Sequence, residues 1–117
     1  MKIALCNEVV AAMPFERQCV FAAALGYDGL EVAPFTLAEE PHLLGGGKVA
    51  ALRRAAEEAG VPVLGLHWLL VKPAGLSITS DDEAVRARTL EVIRRLVALC
   101  AELGGRYLVH GSPAQRR

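Results

Sequence analysis

Four short apolar runs recur along the chain, and between them apolar residues fall at helical spacing. The runs are 2–7 (KIALCN), 28–34 (DGLEVAP), 61–68 (VPVLGLHW) and 106–110 (RYLVH). Each is too short for a helix and reads as a strand. Phe15, Cys19, Ala22 and Ala23 repeat on one side of a helix, with Pro14 suited to its first turn and Gly26 at its end. Val49, Leu52, Ala56 and Ala59 mark a second helix over 48–59, stopped by Gly60. The longest stripe is Val85, Thr89, Val92, Leu96, Leu99 and Leu103. Ser80 and Glu83 have the capping-box spacing at its start, and Asp82–Arg86 and Glu91–Arg95 are spaced as i,i+4 ion pairs. The connection 35–47 carries one expected helical turn at 37–40, 69–79 reads as a loop, and 111–113 turns the chain out after the fourth strand.

Alternation within the strands separates two faces. On the third, Leu64 and Leu66 share one side, while Val63, Gly65 and His67 share the other. Aligning all four strands by their small residues collects Ala4, Cys6, Glu8, Gly29, Glu31, Ala33, Gly65, His67, Leu108 and His110 on one face. Ile3, Leu5, Leu30, Val32, Leu64, Leu66, Tyr107 and Val109 then face the helices. Strands alternating with helices give an α/β fold with right-handed parallel crossovers. One helix-covered face, and one of small residues with polar groups near the strands' C-terminal ends, is the segregation a (β/α) barrel requires. A lone strand-end histidine is more often structural than functional. Glu31, His67 and His110 on one face make a stronger case, because a buried carboxylate without a partner costs several kcal/mol. Trp68 is core packing if the strand persists and a lip on the pocket if it ends at His67. His42, in the loop after the second strand, is expected to be solvated.

Composition narrows this further. The chain has 117 residues, enough for one domain or part of one, and 53% are hydrophobic. That content suggests a core larger than the chain can enclose, hence a homo-oligomer, or aggregation when isolated. Thirteen basic residues balance thirteen acidic ones, which disfavours nucleic acid and anionic membranes as partners. Cys6, Cys19 and Cys100 lie in apolar patterns and read as free thiols in a reducing compartment. Asn7 and Glu8 interrupt the N-terminal apolar run before a signal-peptide core could form, and no segment is long enough to cross a membrane. A cytoplasmic location is expected.

The succession KIALCN, YDGLEVAPF, VPVLGLHWLL and RYLVHGSP resembles the sugar phosphate isomerase/epimerase family, the xylose isomerase-like TIM barrels. The resemblance implies the N-terminal half of a (β/α)8 barrel, four parallel strands alternating with three helices, as one partial domain over 1–117. It implies part of a metal-dependent sugar isomerase or epimerase that moves a proton between adjacent carbons, with a small-molecule sugar as substrate. The divalent metal (Mn, Mg, Co or Zn) would be bound by Glu, Asp, His and Glu on later strands, with no ligand in this chain. Glu31, His67, His110 and Trp68 would line the substrate side. Two alternatives stay open. In a zinc-dependent phosphodiesterase of the AP-endonuclease type, His67 and His110 would bind metal. In a flavodoxin-like, non-enzymatic binding module, helices would cover both faces of the sheet.

Overall fold

The computed structural model describes residues 1–111. Strands β1 (Ala4–Cys6), β2 (Gly29–Val32), β3 (Val63–His67) and β4 (Tyr107–Val109) form one parallel sheet in the order β1-β2-β3-β4. The connections carry helices α1 (Phe15–Ala24), α2 (Gly46–Glu58) and α3 (Glu83–Glu102). Leu5, Leu30, Val32 and Leu66 are buried in one cluster with Cys19 and Ala22 of α1, Val49, Leu52 and Ala56 of α2, and Val92, Leu96 and Leu99 of α3. All three helices thus pack on the same face. A doubly wound sheet would reverse its strand order and use both faces; sequential strands with helices on one side are an arc of barrel wall.

Local chemistry moves several element boundaries. The N-cap of α3 is Asp82, whose Oδ1 accepts from the Ala84 N–H at 2.9 Å. Ser80 instead accepts the Asp82 N–H at 3.1 Å, so the expected capping box does not form. Arg86 donates to the Ser80 carbonyl at 2.6 Å rather than pairing with Asp82, whereas Arg95–Glu91 forms as expected at 3.1 Å. Prolines at the first positions of two 3-10 turns, Pro34–Thr36 and Pro41–Leu43, replace the single turn expected at 37–40. Pro14 is the N-cap of α1 and stands just outside its first turn, and α2 begins two residues early, at Gly46. The expected 111–113 turn lies largely outside the described residues.

Two corrections concern the faces of the sheet. Leu30 pairs with Val63 but Glu31 pairs with Gly65, so Leu64 is an extra residue in β3. This bulge turns Val63 into the helix-side core and places Leu64 over Gly29 on the other face, the reverse of regular alternation. In β4, Gly65 pairs with Tyr107 and Leu66 with Leu108. Tyr107 and Val109 therefore share the Glu31 face, while Leu108 packs against the core. The cause is steric: a methyl carbon on Gly65 would lie 2.6 Å from both ring carbons Cδ1 and Cε1 and from the carbonyl oxygen of Tyr107. The missing side chain at 65 is the space that the tyrosine ring fills.

Gly65→Ala should therefore cost about 1–3 kcal/mol by overpacking. Gly47→Ala, in α2 with open space around it, should gain about 0.5–1 kcal/mol from helix propensity. Urea denaturation of the two variants checks this contrast. Equal stability would mean that β4 does not lie against Gly65 in this way.

Candidate functional site

At the C-terminal edge of the sheet, β1 runs from Cys6 into a 3-10 turn, Asn7–Val10. Asn7 is fully buried and fixes that turn. Its Nδ2 donates to Gln18 Oε1 at 3.1 Å and to Thr36 Oγ1 at 2.9 Å, and its Oδ1 accepts from the Ala33 N–H at 2.8 Å. One side chain thus ties the end of β1 to α1 and to the residue after β2. The next residue, Glu8, is thereby directed at His67, with Oε2 2.6 Å from the ring Nε2.

Glu31 stands between β1 and β3, opposite Cys6 and Gly65. Its Oε2 accepts from the Tyr107 hydroxyl at 2.6 Å. Its Oε1 lies 3.3 Å from His67 Nδ1 and accepts a long contact from the Cys6 thiol at 3.7 Å. His67 is only 5% exposed. Its Nδ1, although close to Glu31, has no aligned hydrogen-bond partner. The result is a line of side chains, Glu8–His67–Glu31–Tyr107, to which β2, β3, β4 and the turn after β1 each contribute one residue.

Burial, reinforced by the charges of Glu31 and Glu8, pushes the Cys6 thiol up to about 11. Burial and the hydrogen bond to Glu31 likewise push the Tyr107 hydroxyl above its ordinary value. Both groups are held protonated, as hydrogen-bond donors to the carboxylate.

Of the residues expected from sequence, Glu31 and His67 are brought together. Trp68 follows the last residue of β3 in a left-handed conformation, φ 54°, and stacks on Phe35 with centroids 6.1 Å apart. The strand ends at His67, so Trp68 does not continue its alternation. His110 lies past the end of β4, exposed, and among the described residues it is not one of the hydrogen-bond or ion-pair partners of Glu31 or His67. His42 is half-buried rather than solvated: burial of its ring lowers its pKa, and its Nδ1 has no partner. Alignment of the strands by their small residues puts Tyr107 on the helix side, whereas the structure puts it beside Glu31; Cys6 is a free thiol, as expected, but only partly buried. The signal for Tyr107 was Gly65, whose gap needs a large neighbour.

A parallel sheet in sequential order, helices on one face and a polar cluster at the strands' C-terminal edge define a (β/α)-barrel wall with its site in the usual place for that fold. Residues 19–117 match the model of the xylose isomerase-like TIM barrel family, and the chain belongs to that family. No curated protein sequence matches it. Among solved structures, a D-psicose 3-epimerase crystallised in the presence of D-fructose superposes with a TM-score of 0.74 at 20% identity, covering 94% of this chain and 37% of the epimerase. The apo form of a 3-keto-D-glucoside 4-epimerase from E. coli gives 0.69 at 22% identity, covering 93% of this chain and 36% of that one. The chain spans little more than a third of the length of these structures. Identities this low establish the shared fold.

The raised Cys6 pKa has a chemical readout. At pH 8, iodoacetamide should modify Cys6 of the folded chain more slowly than a free cysteine, since only the thiolate reacts. Glu31→Gln should speed it by removing a charge and an acceptor, though burial would keep it slower than free thiol. The protonated thiol also stabilises the fold below its unfolded pKa near 9, and that contribution is lost as pH rises through about 11. Peptide mapping of the alkylated site decides it; modification of the native chain at the free-thiol rate would contradict the placement of Glu31.

Proposed function

We propose that this chain supplies the substrate-binding side of a sugar isomerase or epimerase that moves a proton between adjacent carbons. The observation that carries the reading is the Glu8–His67–Glu31–Tyr107 line at the C-terminal edge of the inner face. Membership of the xylose isomerase-like family and the epimerase likenesses support it.

A sugar is neutral and presents adjacent hydroxyls, each both donor and acceptor. The inner face offers matching groups within a few ångströms. Oε1 of Glu31 can accept a hydroxyl proton, and the neighbouring Nδ1 of His67 is free to bond a second hydroxyl. Glu8 fixes the histidine ring from the opposite side, and Tyr107 fixes the glutamate, so both are oriented before substrate arrives. Trp68, backed by Phe35, gives an apolar lip for the C–H side of the sugar ring. Position and orientation are what these residues contribute; by the family resemblance, the acid and base that move the proton would stand on later strands.

The resemblance also implies a divalent ion held by Glu, Asp, His and Glu, which when bound would polarise the sugar's carbonyl and hydroxyl oxygens. Cys6, Glu31 and His67 are a different donor set, with a thiol and a single carboxylate, and do not fit that description.

NMR of the 117-residue chain titrated with millimolar D-fructose tests the binding half of the reading. Shifts should concentrate at Glu31, His67 and Trp68 and should fall at least fivefold in apparent affinity in His67→Ala. Shifts scattered over the helix-covered face, or unchanged in the variant, would contradict it.

A further inference from the structure

We propose that Cys6, Glu31 and His67 form a binding site for a thiophilic divalent cation of the zinc type. Sγ, Oε1 and Nδ1 all lie within 4.8 Å of one another. Two edges of this triangle are 3.3 Å (Nδ1 to Oε1) and 3.7 Å (Sγ to Oε1). A tetrahedral zinc ion with bonds of about 2.0 Å to nitrogen and oxygen and 2.3 Å to sulfur has donor–donor edges of about 3.3–3.6 Å. Two of the three edges are therefore already close to those of one coordination tetrahedron, and the third, Sγ to Nδ1, is no longer than 4.8 Å.

The state of His67 is the independent observation. The ring is buried, its Nε2 is taken by Glu8, and its Nδ1 has no hydrogen-bond partner. A buried ring nitrogen without a partner is costly unless something occupies its lone pair. With the Nε2–H donated to Glu8, Nδ1 carries that lone pair and faces Glu31 Oε1. A histidine bound to metal through one nitrogen commonly gives its other N–H to a carboxylate, which is the role geometry assigns to Glu8. Tyr107 does the same for the glutamate: its hydroxyl holds Oε2, leaving Oε1 toward the thiol and the imidazole. Both outer partners are thus in place around three inner donors.

The donor types select the ion. A thiol with an imidazole and one carboxylate suits zinc or cobalt, whereas magnesium and calcium prefer oxygen alone. Binding breaks the S–H bond of Cys6, forms a metal–sulfur bond and releases one proton to solvent. With Glu31 and the thiolate each carrying one negative charge, a divalent ion leaves the three-ligand unit neutral. Because binding displaces the thiol proton, uptake should strengthen as pH rises. The site needs neither a sugar nor any residue outside this chain, so the proposal stands apart from the sugar-binding reading. Because Oε1 and Nδ1 are also the atoms offered to sugar hydroxyls, a bound ion would carry those contacts through its open position.

Cobalt(II) titration of the reduced 117-residue chain, followed by absorbance, tests the proposal. One equivalent should give the intense visible bands of a tetrahedral ion and a sulfur-to-cobalt charge-transfer band, and zinc should abolish both. Cys6→Ser should lose the charge-transfer band and weaken binding at least tenfold, while Cys19→Ala keeps the band. Should Cys6→Ser fail to fold, zinc protection of Cys6 against alkylation in the unaltered chain, mapped by mass spectrometry, gives the same answer. Absence of the band with the folded chain, its survival in Cys6→Ser, or equal alkylation with and without zinc would overturn the site. Sugar-induced shifts without the band would leave the sugar reading standing and this one refuted.

Discussion

A carboxylate on the small-residue face of a parallel sheet has to be hydrogen-bonded or paired, and in this chain that requirement falls on Glu31. Leaving such a group unpartnered away from water costs several kcal/mol. The structure meets the demand from the three other strands: the Tyr107 hydroxyl on one oxygen, the Cys6 thiol and the His67 ring near the other. Each partner depends on a feature of the backbone. Tyr107 needs the gap at Gly65, and His67 sits in position after the bulge at Leu64. Asn7, buried under the turn after β1, brings Glu8 against the far side of His67. The site is therefore a consequence of how the four strands are registered, and it would not survive a one-residue slip.

The same registry explains how the sheet divides its work. Leu5, Leu30, Val32 and Leu66 give the helices a continuous apolar surface, while the opposite face carries the polar line and leaves Tyr107 39% and Val109 47% exposed. In a barrel wall that second face looks inward. Groups placed on it are oriented by the sheet, His67 nearly covered and Tyr107 still exposed. That combination is what a substrate-binding surface or a three-donor metal site needs.

Much of this was legible from residues alone. The apolar runs and the helical stripes located the four strands and three α-helices of the described residues, and the polar residues of DGLEV and VLGLH brought Glu31 and His67 to one face. What was not legible came from contacts between strands. A bulge leaves no mark in a single strand's alternation, so Leu64 and Val63 were assigned to opposite sides from those they occupy. Alignment by small residues puts Leu108 on the Glu31 face of β4, whereas packing fits Tyr107 there, into the space above Gly65. Ser80 lost the cap to Asp82 because either can accept the first free N–H groups of α3, and spacing does not rank them. Alternation already puts Glu8 on the side of Glu31 and His67, but its contact with His67 comes from a 3-10 turn, held by the bonds of Asn7, that alternation does not show.

The placement of the Tyr107 ring is the point on which the account turns, and nuclear Overhauser contacts report it directly. In the isotope-labelled 117-residue chain, the ring protons of Tyr107 should show strong contacts to the Gly65 α-protons and none to the methyl groups of Leu66 or Leu96. Contacts from the ring to those core methyls, with Leu108 facing Gly65 instead, would invert β4, remove the hydroxyl from Glu31 and contradict the site as described.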